Sequence, residues 1–409
     1  MNKAKLREYA KITARLGANV QKGQEVFLTC PVVCAEFGRM VMEEAYAAGA
    51  GEVIMNYYDE KASRIKYLNS DVSVFESVPA WETERRNYYG RRHAAMITIL
   101  AEDPEINAGI PGEKLLAAAR ARHKAFEEYY KMMDAGDICW TLVAYPIPEW
   151  ASKVFPNETP ARAVELLWNA IFKSVRITRG DTVKKWQAHD RMLKKRSKKL
   201  NDFAFETIEC KNSLGTDIKI GMPENHVWLG GSDTSTDGIS YFPNMPTEEI
   251  FTMPHCRKTN GTVVSSMPLS YQGNMVDHFS LTFKDGEVID FTAETGRDAL
   301  ARLLDTDEGS RRLGELALIP YDSPISNQKI LFYNTLFDEN ASCHLALGDC
   351  YPNTIKGGEL LDREKLGELG GNHSANHVDF MFGTPDMQIK GIKKDGTTHE
   401  IFRDGGFVF

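Results

Sequence analysis

The sequence predicts an α/β N-terminal domain built on a mainly parallel sheet, followed by an α+β C-terminal domain of antiparallel strands that carries a metal site. Three observations lead there. Up to about residue 180, short β-rich runs alternate with helical stretches, the order of βαβ units. After about residue 205 the texture changes to short alternating strands joined by Asn-Gly and Asp-Gly turns. In that second half, carboxylates and histidines repeatedly abut apolar runs.

The elements follow in order. "MNKAKLREYAKITARLG" intersperses charges with Leu6, Tyr9, Ala10 and Leu16, the pattern of an amphipathic helix and not of a signal peptide. "EVFLTC" (25–30), "EVIMNYY" (52–58), "AAMITILA" (94–101) and "DICWTLVAY" (137–145) read as strands. Residues 35–50 and 112–136 between them read as helices, the second rich in strong helix formers and closed by a glycine. "GAG" at 49–51 follows a helix and precedes a strand, the reverse of a dinucleotide fingerprint, so it reads as a helix C-cap. In "VKKWQAHDRMLKKRSKKLN", Val183, Trp186, Met192 and Leu193 recur near helical spacing, which makes "KKRSKK" the solvated face of a helix. A domain boundary falls there, giving 1–195 and 196–409. Beyond it, Phe279, Leu281 and Phe283 alternate into an Asp285-Gly286 hairpin turn. Asn260-Gly261 and Asp395-Gly396 give similar turn signals, and "GRDALARLLD" (296–305) is the one helix among them.

At 409 residues the chain exceeds the roughly 250 to 300 residues at which single cores stop growing, so two domains are expected. A net charge of -8 argues against nucleic acid as the main partner. Seven scattered cysteines without a C-x-x-C pair suit reduced thiols in the cytoplasm. No apolar run approaches the ~18 residues of a membrane span.

"NHSANHVDFMFGTP" (372–385) holds two histidines and an aspartate. His373 and His377 would share a helix face, His377 and Asp379 a strand face. The apolar run Val378, Phe380, Met381 and Phe382, closed by Gly383 and Pro385, favours the strand and hence the second pair. Three other stretches place a polar group at the edge of an apolar run: Glu249 in "NMPTEEIFTMP", Glu315 in "LGELALIP" and His344 in "LFDENASCHLALGDCYP". Such groups must be paired or bound to a cation, because burying them bare costs several kcal/mol. Singly, each reads more readily as part of a salt-bridged core. Together, two Glu, two His and one Asp with no cysteine suit a pair of divalent cations sharing a carboxylate better than a closed structural zinc site. H-E-x-x-H, G-x-S-x-G and G-x-x-x-x-G-K-[ST] are all absent.

These four segments, in this order, resemble the motifs of the aminopeptidase T and aminopeptidase S (PepS) family of metalloaminopeptidases. "YAKITARLGANVQKGQEVFLTCPV" and "KKWQAHDRMLKKRSKKLN" resemble that family too, so the similarity spans nearly the whole chain. The resemblance implies metal ligands at Glu249, Glu315, His344, His377 and Asp379, an active-site tyrosine at Tyr351, and a homodimer. It gives His373 no ligand role. Glu248 would point away from Glu249 on a strand, and Asp338, Glu339 and Asn340 read as hydrogen-bonding supports for His344.

The expected function is a cytoplasmic aminopeptidase with two divalent ions per chain (Zn, Co, Mn or Mg). It would act on peptides with a free N-terminus, with Glu315 bridging the ions and Tyr351 donating to the oxyanion. Neither nucleic acid nor membrane is an expected partner. Two alternatives stay open: a catalytically silent metal-binding homologue, and a dimetal hydrolase of another substrate class such as phosphoesters.

Overall fold

The computed structural model describes residues 2–271 and 273–409. The chain divides into two compact units, Met1–Trp186 with Ser232–Pro246, and Gln187–Gly231 with Thr247–Phe409.

The first unit is built on a parallel sheet, as the alternation of elements predicts. Its five strands run in the order Asn244–Met245, Trp140–Ala144, Ala95–Leu100, Glu25–Pro31 and Glu52–Tyr58, every neighbouring pair parallel. Helix Ala35–Ala48 connects the Glu25 and Glu52 strands and buries Phe37, Gly38, Val41 and Ala45, one face at helical spacing. It ends at Gly49 with φ 109°, so the "GAG" does serve as a helix C-cap. The N-terminal helix Lys3–Ile12 buries Leu6, Tyr9, Ala10 and Ile12, and the Asn2 side chain caps its first turn. The long helix expected over 112–136 breaks at Phe126 into Gly112–Ala125 and Glu127–Asp134.

The second unit is antiparallel, again as expected. One sheet joins nine strands, among them the Asn274–Lys284 and Glu287–Thr295 hairpin, turning through Asp285-Gly286 with positive φ at both. A five-stranded sheet has the order His377–Met381, His344–Gly348, Leu313–Leu318, Ile250–Thr252, Leu229–Gly230. Side chains of both sheets share one core, which includes Leu281, Phe283, Leu316, Leu345, Phe380 and Ile389. On helix Thr182–Phe203, Leu193 and Leu200 are fully buried in that core while Lys194, Lys195, Lys198 and Lys199 are exposed, the solvated face expected of "KKRSKK". Met192 departs from the expected stripe: it is exposed, and the inward position one turn before Leu193 is His189.

Asn260-Gly261 is not a turn. Both residues lie inside strand Thr259–Val264, with Gly261 between Ile218 and Phe283 of its two neighbours. Gly261 has φ 115°, and a Cβ there would stand 2.3 Å from the Asp217 carbonyl oxygen, so the glycine serves a close backbone approach and not a reversal. Gly261→Ala is therefore expected to destabilise the protein by about 2 to 3 kcal/mol, combining a disfavoured φ with a steric clash. Denaturant unfolding checks this; a loss below about 0.5 kcal/mol would mean the neighbouring strand yields at little cost.

Candidate metal centre

The five-stranded sheet brings together every residue singled out as a candidate ligand. Glu315 lies directly across from Ala346, and Ala346 directly across from Asp379, so the three share one face of three adjacent strands. His344 and His377 each sit two residues from a member of that row, which puts them on the same face. Ile250 pairs with Leu318, three residues from Glu315 and so on the opposite face; Glu249, one residue earlier, returns to the face of Glu315. The alternate residues Leu316, Leu318, Leu345, Leu347 and Phe380 pack into the core. The small Ala346 leaves the space between Glu315 and Asp379 to the polar groups.

The atoms converge accordingly. Glu315 turns one oxygen toward each histidine: Oε1 lies 3.7 Å from His344 Nε2 and Oε2 lies 3.1 Å from His377 Nε2. His344 Nε2 also lies 3.4 Å from Glu249 Oε2, and His377 Nε2 lies 3.3 Å from Asp379 Oδ1. Two groups able to hold an ion result, Glu249, Glu315 and His344, and Glu315, His377 and Asp379, with Glu315 common to both. Each imidazole is fixed from behind. His344 Nδ1 is 2.8 Å from the Glu339 carbonyl oxygen and His377 Nδ1 is 2.8 Å from that of Asp349. A carbonyl accepts only, so Nδ1 carries a proton, and the neutral ring presents its Nε2 lone pair to the cluster.

This donor set fits a divalent cation. Burial, followed by the Glu315 carboxylate, pushes Glu249 above the usual carboxylate range. Burial would do the same to Glu315 and Asp379, but the imidazoles hold both below it. Burial disfavours charge on His344 and His377, yet Glu315 and Asp379 outweigh it at His344, and Tyr351, Asp379 and Glu315 outweigh it at His377, so both are raised. Among the described residues, the acids Glu249, Glu315 and Asp379 thus share two imidazoles as counter-charges. Asp379 Oδ1 is buried and makes no hydrogen bond among the described residues. Cations among these oxygens and the two Nε2 atoms would supply the missing positive charge.

Tyr351 follows the His344 strand. Its ring centre lies 4.8 Å from that of His377 and 5.9 Å from Phe251, and the residue is 43% exposed. His373 stands apart from the cluster, with Nδ1 2.8 Å from Asp349 Oδ1 and the Arg363 guanidinium against its ring. Glu248 is buried on the other face, where Oε2 lies 3.5 Å from His189 Nε2. The expected supports of His344 act differently from the reading of their side chains. The Glu339 backbone holds His344; the Asp338 carboxylate accepts from the Phe332 and Asn334 amides; Asn340 Oδ1 accepts from the Glu248 amide at 2.7 Å, pinning the chain beside Glu249. Sequence reasoning missed Asp349 as the anchor of His377, because a carbonyl leaves no side-chain signal.

A model of the family described as thermophilic metalloprotease (M29) matches residues 2–407. The chain belongs to this family. Among its M29 relatives, aminopeptidase AmpS of Bacillus subtilis is 41% identical over 405 residues, covering 99% of this chain and 98% of that one. Aminopeptidase 2 of Geobacillus stearothermophilus is 40% identical over 404 residues, with the same coverage. The solved structure of wild-type AmpT from Thermus thermophilus superposes with a TM-score of 0.93 at 37% identity, covering 100% of both chains. The resemblance to aminopeptidases T and S read from the motifs is therefore borne out.

Proposed function

We propose that this chain is a metal-dependent aminopeptidase that removes residues from peptides with a free N-terminus. Membership of the M29 metalloprotease family along nearly the full length supports this activity. We further propose that Glu249, Glu315, His344, His377 and Asp379, all within the antiparallel part, hold two divalent cations (Zn, Co, Mn or Mg) per chain. The observation that carries the pair is Glu315, which offers one oxygen to each of two histidine-containing groups.

When bound, two such cations supply Lewis acidity that makes water a better nucleophile and polarises the scissile carbonyl. The chain's own residues set the stage for this. Backbone carbonyls of Glu339 and Asp349 fix both imidazoles, so Nε2 is presented without further rearrangement. Glu315 sits between them with both oxygens engaged. The Tyr351 hydroxyl donates to the carbonyl oxygen as negative charge develops there. Tyr351→Phe should accordingly keep both cations and nearly the same KM while kcat falls about 10²-fold. Steady-state kinetics with metal analysis decide the matter, and an unchanged kcat would remove Tyr351 from the chemistry.

The reading as a whole is tested by chelating the purified protein, adding back each metal singly, and assaying aminoacyl-arylamides against phosphoesters. Arylamide cleavage restored by metal supports it. Phosphoester cleavage alone would favour a hydrolase of another class, and no activity with full metal occupancy would favour a silent homologue. A homodimer in the cytoplasm completes the proposal; sedimentation showing only monomer at micromolar concentration would count against the dimer. Among the described residues no helix is long and apolar enough to cross a membrane.

A further inference from the structure

Asn372 opens the stretch that carries His377 and Asp379, and the proposed ligand set leaves it unused. The residue is buried. Its Nδ2 donates to two backbone carbonyls, that of Gly348 at 2.6 Å and that of Gly309 at 2.8 Å. Gly348 ends the His344–Gly348 strand and lies directly across from His377. Gly309 lies in the short turn Glu308–Arg311, just before the Leu313–Leu318 strand that carries Glu315. One side-chain amide therefore ties together, at one end of the sheet, the three strands that bear Glu315, His344 and His377.

The chain that Asn372 grips is the chain that orients His377. Asp349 follows Gly348, and its carbonyl oxygen lies 2.8 Å from His377 Nδ1. The peptide groups on both sides of Asp349 are pinned. In the first, the Gly348 carbonyl takes Asn372 Nδ2 and the Asp349 N–H donates to the Asn376 carbonyl at 2.7 Å. In the second, the Asp349 carbonyl takes His377 Nδ1 and the Cys350 N–H donates to the Asn372 carbonyl at 3.2 Å. His344 is held by a different device. It begins the strand that Gly348 ends, and its anchor is the Glu339 carbonyl ahead of that strand.

We infer that Asn372 is a positioning residue for His377: by fixing the peptide group ahead of Asp349, it aims the Asp349 carbonyl at Nδ1 and so sets where Nε2 points. The inference rests on the two-cation reading and adds to it that the two imidazoles are oriented independently. A buried carbonyl deprived of its donor cannot regain the bond from bulk water. The peptide group is then free to turn about Gly348, whose φ of 112° lies where only glycine is at ease, and the Asp349 carbonyl turns with it. An imidazole whose rear partner has shifted still offers Nε2, but no longer along a fixed direction.

The test titrates the metal-free protein with Zn²⁺ by calorimetry in four forms: wild type, Asn372→Ala, His377→Ala and the double variant. Asn372→Ser, which keeps a hydroxyl donor, takes the place of Asn372→Ala should the latter not fold. Wild type should take up two cations. Asn372→Ala should bind one of them as wild type does and the other about 10- to 100-fold more weakly. In the double variant the loss of Asn372 should add nothing to the loss caused by His377→Ala, because its effect passes through that imidazole. Equal weakening of both cations, or a further loss in the His377→Ala background, would make Asn372 a general support of the sheet. Unchanged binding in Asn372→Ala would show that His377 is oriented without it, and failure of both Asn372 variants to fold would make it a residue of the fold alone. Each of these overturns the inference. A wild type that takes up fewer than two cations would refute the two-cation reading and the inference with it, a result visible in the wild-type titration alone.

Discussion

Glu315→Gln is expected to abolish peptide cleavage and to lower cation affinity by more than about 10²-fold, exceeding the 10- to 100-fold typical for losing a group behind a ligand. The reason lies in its placement. One oxygen faces His344 Nε2 and the other faces His377 Nε2, so a single side chain serves both halves of the cluster. The amide keeps the shape of the carboxylate but carries no charge, and one of its two ends becomes a donor that faces an imidazole lone pair. Both proposed sites should suffer together. The rise in thermal midpoint that a divalent cation gives the wild-type protein should therefore vanish in Glu315→Gln, because stabilisation by a ligand scales with its affinity for the folded state. A variant that retained two cations, near-normal activity and the same thermal shift would refute the bridging role.

Much of this site could be read in the sequence because a strand has a side-chain period of two. His377 and Asp379 fall on one face by that period alone, and the apolar run after them excluded the helical pairing of His373 with His377. Glu249 and Glu248 separate for the same reason, one toward the cluster and one toward His189. That the segments of Glu249, Glu315, His344 and His377 are neighbours in one sheet is a matter of pairing between distant strands, which periodicity does not encode; the family resemblance implied a shared ligand set and not the sheet that gathers it. The parallel sheet was legible from its alternating elements. Its fifth strand was not, since Asn244–Met245 is two residues long, lies between Pro243 and Pro246, and has no room for a pattern. Asn260-Gly261 misled because a glycine required by a close backbone approach looks the same in sequence as one required by a turn. The anchors of the two imidazoles were hidden for a simpler reason: any residue can supply a carbonyl.

The two histidines of 372–385 give the second large expected effect, and the test is the difference between them. His377 presents Nε2 within 3.3 Å of carboxylate oxygens on both Glu315 and Asp379. His377→Ala should lose roughly one cation per chain and nearly all activity, because a coordinate bond disappears and the remaining carboxylates crowd an undercoordinated ion. His373 is half-exposed and touches the site only at one remove: it pairs with the Asp349 carboxylate, and the Asp349 carbonyl holds His377 Nδ1. His373→Ala should keep both cations and weaken their binding by at most about 10- to 100-fold, through looser positioning of Asp349. Metal counting on the two purified variants separates the cases. A cation lost from His373→Ala and kept by His377→Ala would require the helical pairing in solution, and would overturn both the strand geometry and the ligand assignment built on it.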